Sequence, residues 1–540
     1  MKRRDFIKVS SVAGVAGVAG SGFNSYASTS NSNQAEGFDL HPFIKAHPEA
    51  VFINLTSVKE KTDSQAKYDA SFKLASEMFV KTQNGQGHPN STKIMAKPNW
   101  TGFGNGDPDD PTYHWGIHTD MWFIEGFLNG VKTIGPQNYY LRDCALRSNR
   151  FEQHGHGQMC ARNNFDLKDL TTNDFWELGD DILFKKIDNG VVFKEVGYMT
   201  PAAAPNSFLI NMAKFKAHAM GITASVKNLQ GITGKMFHRF CDAGDLFTSY
   251  DERYHPYFQP DYSEKIAELH KKHVEAGIPR WDSLAEGLAI RYAGLNMERW
   301  TQRMLDSFSA TTAGTRGIIH IVEGIYGRDG DGFMNGPWED DGKQNRARDY
   351  MSNNIIFGLD AFRVDIITHW LAGHEPGNFG LFHIGIERGF SNVLDPADIP
   401  VYLWENGAAR KVDLNTFKRT PLLTQYLRMP GEERFHMCDE PFDYKAWKST
   451  GKIAAIEPSI MVLGADSNNN VVMDVSVPKK GDVYVDVLNS KGELLHRMYA
   501  YDLEPGNHQV VWDGFGQPGL YTTYVKGMDW DAEKQMVIYS

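Results

Sequence analysis

Between residues 50 and 405 short apolar runs alternate with stretches of helical spacing. The runs at 50–58 (AVFINLTSV), 93–99 (KIMAKPN), 206–215 (NSFLINMAKF), 316–327 (RGIIHIVEGIYG) and 354–362 (NIIFGLDAF) read as buried strands leading into loops. Residues 64–80, 120–131, 263–277 and 361–373 place apolar side chains at helical intervals. This alternation predicts an α/β main domain, a mixed or mostly parallel sheet with flanking helices, whose loops at strand C-termini carry the site.

After about residue 450 the pattern changes to short alternating strands separated by Gly, Asn and Pro turns, which predicts a small all-β sandwich. The expected organisation is a leader at 1–27, a polar flexible lead at 28–48, the α/β domain at 49–410, a linker at 411–454 and the sandwich at 455–540. HQVVWDG followed by GLYTTYV, with Trp512, Asp513 and Gly514 as its firmest element, resembles the Ig-like domain of flagellar hook-capping proteins. A sorting domain of the kind that ends secreted proteins of some gliding bacteria is the alternative. Either module offers a surface for a protein partner.

The first eight residues, MKRRDFIK, pair Arg3 with Arg4 ahead of Phe6, Ile7 and Lys8; an Ala/Gly/Val stretch follows, and Ser25–Ala27 offers a small-residue cleavage site. This resembles a bacterial twin-arginine signal peptide and implies export to the periplasm, rather than display on the cell surface or secretion. No apolar run approaches the roughly 20 residues that a membrane-spanning helix needs.

The formal charge of −11 argues against a nucleic-acid partner, which needs a broad basic face. Cys144, Cys160, Cys241 and Cys438 are widely spaced, and the absence of C-x-x-C writes neither an iron–sulfur run nor a zinc ribbon. Disulfide state and cofactor stay open, a divalent cation among the options.

Against that acidic background, residues 196–241 contain no Asp or Glu, yet hold Lys214, Lys216, Lys227, Lys235, Arg239, His218 and His238. If the chain leaves its strand at Asn211, Lys214, Lys216 and His218 alternate along one face of an extended segment. Lys227 and Asn228 follow beside Gly221, Gly231 and Gly234, where glycines permit close backbone approach. Lysine ammoniums suit an oxyanion, and a histidine moves protons near neutral pH.

The run NMAKFKAHAMGITASVKNLQGITG is similar to the signature of the family called domain of unknown function 362, with Lys214, Lys216, His218, Thr223, Lys227, Asn228 and Gly231 in its places. Lys97, Pro98 and Asn99 resemble its early lysine–proline–asparagine element. VEGIYGRDGDGFMNGP and FGLDAFRVD resemble its late glycine–proline loop and aspartate-bearing turn. The resemblance covers about residues 50–405 and implies the domain, not a reaction.

The expected site is therefore an anion pocket built from Lys97, Asn99, Lys214, Lys216, Thr223 and Asn228. His218 and Lys227 are its catalytic candidates, and Glu323, Asp360 and Asp365 face them as acid/base or cation groups. A carboxylate-, sulfate- or phosphate-bearing small molecule or an acidic saccharide is the expected substrate, turned over by a cation-assisted hydrolase, lyase or isomerase. A non-catalytic periplasmic binding or scaffold protein is the alternative. Three weaker patterns remain: Asp329 and Asp331 in a glycine loop suited to calcium, His114 and His118 before Asp120, and the trio His369, His374 and His383.

Overall fold

The computed structural model describes residues 36–83, 85–100, 112–143, 155–168, 170, 175–218, 221–234, 237, 252–279, 281, 294–330, 335–340, 343–422, 436–437, 442–450, 458–465, 470–478, 481–503, 505–512, 519–527 and 530–538. The leader at 1–27, Lys235, His238, Arg239, Asp331, Cys144, Cys241, Cys438, Asp513 and Gly514 lie outside the described residues, as does the side chain of His114.

Ten strands build the main sheet: β1 (Val51–Leu55), β2 (Lys93–Pro98), β3 (Asn138–Leu141), β4 (Asp166–Leu167), β5 (Ser207–His218), β6 (Gly221–Thr223), β7 (Gly317–Arg328), β8 (Asp349–Gly358), β9 (Val401–Glu405) and β10 (Ala408–Lys411). Their order is β10-β9-β1-β8-β7-β5-β2-β3-β4, with β6 hairpinned onto β5. Strands β1, β9, β7, β5, β2, β3 and β4 run the same way, while β8 and β10 are reversed. The sheet is thus mixed, with a parallel centre.

Strand β5 shows the period of two that seats the sheet between two layers. Leu209, Ala213, Phe215 and Ala217 belong to one core cluster, with Val226, Trp300, Ile367 and Phe382 from the helices α4 (Ser225–Leu229), α6 (Gly294–Gly314), α7 (Ala361–Leu371) and α8 (Gly380–Glu387). Phe208, Ile210 and Met212 belong to the other, with Leu74, Met78, Phe123 and Phe127 from α1 (Ser64–Met78) and α2 (Met121–Lys132). Two further helices are α3 (His156–Asn163) and α5 (Tyr262–Glu275), and shorter helical segments occupy Pro42–Ala46 and Tyr444–Thr450.

Helix α1 starts where Asp63 accepts the Ala66 N–H, and α2 where Asp120 accepts those of Trp122 and Phe123. Parallel strands with covered faces place their C-terminal ends side by side, so β2, β5 and β7 deliver Lys97, Lys214 and Glu323 to one end of the sheet.

The C-terminal strands β11 (Ser459–Ala465), β12 (Val471–Val477), β13 (Gly481–Asn489), β14 (Leu494–Leu503), β15 (Gly506–Trp512), β16 (Gly519–Lys526) and β17 (Asp531–Ile538) make two small antiparallel sheets. Their orders are β15-β12-β11, extended beyond β15 by His436–Met437, and β14-β13-β16-β17. Val475, Val485, Trp512, Tyr521 and Val525 form a third core cluster between them. Among the described residues no helix is long and apolar enough to cross a membrane.

Candidate functional site

The chain does not leave the sheet at Asn211, and it runs past the apolar stretch that ends at Phe215. Strand β5 continues to His218 and turns back as β6, pairing Lys216 with Thr223, Ala217 with Ile222 and His218 with Gly221. Gly221 has φ +97, and a Cβ there would stand 2.9 Å from the Phe379 ring, so the turn requires glycine. Helix α4 then brings Lys227 and Asn228 back toward the strand.

Lys216, His218 and Lys227 are all buried. Burial holds the His218 imidazole well below its ordinary range, and the positive charges of Lys227 and Lys216 push it further the same way. His218 is therefore neutral at pH 7. Direct cross-strand partners share a side, so Thr223 sits beside Lys216. The Thr223 hydroxyl is fully buried and meets no hydrogen-bond partner among the described residues; the same holds for the Ser225 hydroxyl.

Lys97 is held by partners within the fold. Its ammonium donates to Asp143 Oδ1 at 2.9 Å, to Asn228 Oδ1 at 3.1 Å and to the Pro98 carbonyl, which occupies its three protons. Asn228 is likewise fully used. Its Oδ1 also accepts Asn99 Nδ2 at 3.0 Å, and its Nδ2 donates to Asn211 Oδ1 at 2.8 Å and the Lys97 carbonyl at 3.1 Å. Asn99 keeps Oδ1 without a partner among the described residues. Gly231 lets the chain close over this pair, since a Cβ there would lie 2.8 Å from Lys97 Nζ and strike Asp143.

Lys214 is also paired within the sheet. It faces Glu323 across the β5–β7 ladder at 2.6 Å, both side chains fully buried, with its ammonium 3.3 Å from the Tyr326 ring centre. Burial lowers the lysine and raises the carboxyl, against their mutual attraction. Glu323 also accepts the N–H groups of Asp120 and Ile325 at 3.2 Å each. Asp120 in turn accepts Lys67 Nζ at 2.6 Å and the Tyr326 hydroxyl at 2.8 Å. Glu323 thus faces a lysine, but one already committed to it.

Asp365 is engaged by backbone N–H groups. It caps α4, accepting the Ser225 and Val226 N–H groups at 2.6 and 2.9 Å, so the backbone donors expected for an anion are taken. Burial nonetheless pushes its carboxyl up to about 7. Asp360 stands at the other end of the sheet. It follows β8, which runs antiparallel to β7 and ends opposite His320, and there it caps α7 and pairs with Arg363 at 3.3 Å.

Each histidine of the trio meets a backbone carbonyl at 2.7 Å: His369 that of Asp365, His374 that of Leu422 and His383 that of Gly377. Asp329 accepts the Arg348 N–H at 2.5 Å and the Tyr350 hydroxyl at 3.0 Å. Among the described residues no three of His, Cys, Asp and Glu converge to hold a metal ion. The sequence pattern did not point to Asp143, Lys67 or Tyr326, and it offered Asp120 only beside His114 and His118. Asp143 was findable as a carboxylate just past a strand that runs parallel to its neighbours.

Residues 94–369 match the family model described as Domain of unknown function (DUF362). The chain belongs to this family. The DUF362 match is narrower than the span of 50–405 suggested by resemblance: it takes in Lys97 through Asp365 and leaves out β1, β9, β10 and the C-terminal sheets. No curated protein matches the chain.

Proposed function

We infer that this DUF362 protein is exported and binds a small anion, on which it acts, where Lys216, His218 and Lys227 come together. The observation that carries this reading is two buried lysines acting on one neutral buried histidine, beside a Thr223 hydroxyl with no partner among the described residues. A carboxylate, sulfate or phosphate oxygen would accept from that hydroxyl and be drawn by the positive charge of the lysines. The substrate class is accordingly an anionic metabolite or an acidic saccharide. His218 could then take a proton from the bound molecule, because an anion nearby raises its basicity.

The buried pairs Lys97–Asp143 and Lys214–Glu323 favour a second reading, a binding protein whose lysines are structural. Replacing Lys227 by alanine separates the two. A charge-assisted contact contributes roughly 1.5–3 kcal/mol, so binding of sulfate, phosphate or glucuronate, followed by calorimetry, should weaken by about one to two decades. Unchanged anion affinity in a Lys227→Ala protein that has lost stability would leave the scaffold reading standing instead.

Export rests on Arg3 and Arg4. Exchange of both for lysine should leave the precursor in the cytoplasm on cell fractionation. Normal processing and periplasmic recovery of that variant would remove the twin-arginine assignment. The domain boundaries given above, and an Ig-like sandwich at 455–540 that docks a protein partner, complete the proposal; the third core cluster supports a separate C-terminal unit.

A further inference from the structure

The sequence pairs His118 with His114, but the fold brings a different histidine to it. The ring centres of His118 and His156 are 5.8 Å apart, and both side chains are buried. They line a cavity of about 70 Å³ together with Trp115, Thr119, Met121, Trp122 and the already paired Asp120. Met121 opens α2 and His156 opens α3. Gly155, at φ +75, brings the two helix starts together, since a Cβ there would stand 3.1 Å from the Met121 sulfur.

We propose that His118, His156 and Met121 form a binding site for a single Cu(I) ion. Three physical points select this ion. Two imidazoles on one metal, with nitrogens about 2 Å from it, have ring centres at most about 6 Å apart, which the 5.8 Å separation satisfies. A thioether is a soft donor, preferred by Cu(I) over Zn(II), Mg(II) or Ca(II). The three donors are neutral, and the carboxylate in the wall is offset by Lys67 at 2.6 Å. A monovalent ion therefore costs far less to bury than a divalent one, because the desolvation penalty rises with the square of the charge.

The walls reinforce this choice. Trp115 and Trp122 flank the cavity, and Trp100 stacks on His156 with centres 4.4 Å apart, orienting that ring. Indole faces attract a poorly hydrated monovalent cation and keep water from a divalent one. This site lies on residues separate from the Lys216–His218–Lys227 group, and its occupation does not depend on the anion reading.

The test is an anaerobic titration of the full-length protein, thiols alkylated so that cysteines do not compete, against a chromogenic Cu(I) chelator. One Cu(I) per chain is expected, with quenching of tryptophan emission that Zn(II) at the same concentration does not produce. His118→Asn and His156→Asn should each weaken binding by about two decades and Met121→Leu by about one, while Lys227→Ala leaves it unchanged. Failure of the wild-type protein to bind, or equal affinity in Met121→Leu, overturns the site; so does Zn(II) bound more tightly than Cu(I). If the histidine variants do not fold, the near-isosteric Met121→Leu decides alone.

Discussion

Replacing Asp306 by alanine is expected to lower the unfolding free energy by about 3–5 kcal/mol, among the largest single effects in the chain. Asp306 lies on α6 with its carboxylate fully buried. It accepts three consecutive backbone N–H groups: Val191 at 3.1 Å, Val192 at 2.7 Å and Phe193 at 2.9 Å. Arg388 closes the cluster at 2.7 Å. Successive N–H groups pointing at one spot form an anion hole, and here the protein supplies the anion itself. Alanine leaves three buried donors and a guanidinium without their acceptor, and each unmet buried donor costs about 1–3 kcal/mol. Urea unfolding followed by far-UV dichroism reads the loss. For contrast, Glu275→Ala, which breaks an exposed pair with Lys271 at 3.9 Å, should change stability by less than about 0.5 kcal/mol. An Asp306→Ala protein within about 1 kcal/mol of the parent would show that the loop at 191–193 finds other acceptors.

The second large effect concerns Lys214. Its replacement by methionine, similar in length and volume, should cost about 3–5 kcal/mol, because it strands the Glu323 carboxylate in the sheet centre. Burial already raises that carboxyl, and the neighbouring Asp120 charge raises it further. Loss of the lysine moves it higher still. A carboxyl raised in the folded state adds stability below its unfolded pKa and loses it as pH rises, so the variant's deficit should be smaller at pH 5 than at pH 8. The double variant Lys214→Met/Glu323→Gln removes both charges and keeps an oxygen for the Asp120 and Ile325 N–H groups. It should recover at least about 2 kcal/mol of the single variant's loss. Simple additivity of the two single changes would mean that the pair is uncoupled.

Much of the architecture was legible in the residue pattern. The helices predicted at 64–80 and 263–277 occupy Ser64–Met78 and Tyr262–Glu275, and the strand at 93–99 occupies Lys93–Pro98. Local signals suffice there: an apolar period, an Asp at an N-cap and a Pro or Gly at an end. The acid-free stretch was legible too, and its Lys216, His218 and Lys227 are all buried. Less legible was the reach of β5: the apolar run stops at Phe215, yet the strand continues to His218. Lysines inside a strand read as a loop until the ladder with β7 and the hairpin with β6 supply partners for the backbone.

The residue order by itself determined which groups lie close along one strand, because a period of two puts Lys214, Lys216 and His218 on a single side whatever surrounds them. It could not determine which of the lysines would be neutralised. That is decided by groups far away in the chain: Asp143 reaches Lys97 from β3, Glu323 reaches Lys214 from β7, and Asp365 reaches the start of α4 from α7. Asp360 and Asp365 looked equivalent in the sequence, yet the reversed direction of β8 carries one to the far end of the sheet and a helical turn returns the other to α4. Charge pairing depends on separations of a few ångströms between strands, and strand order and direction, which only the folded chain possesses, set those separations.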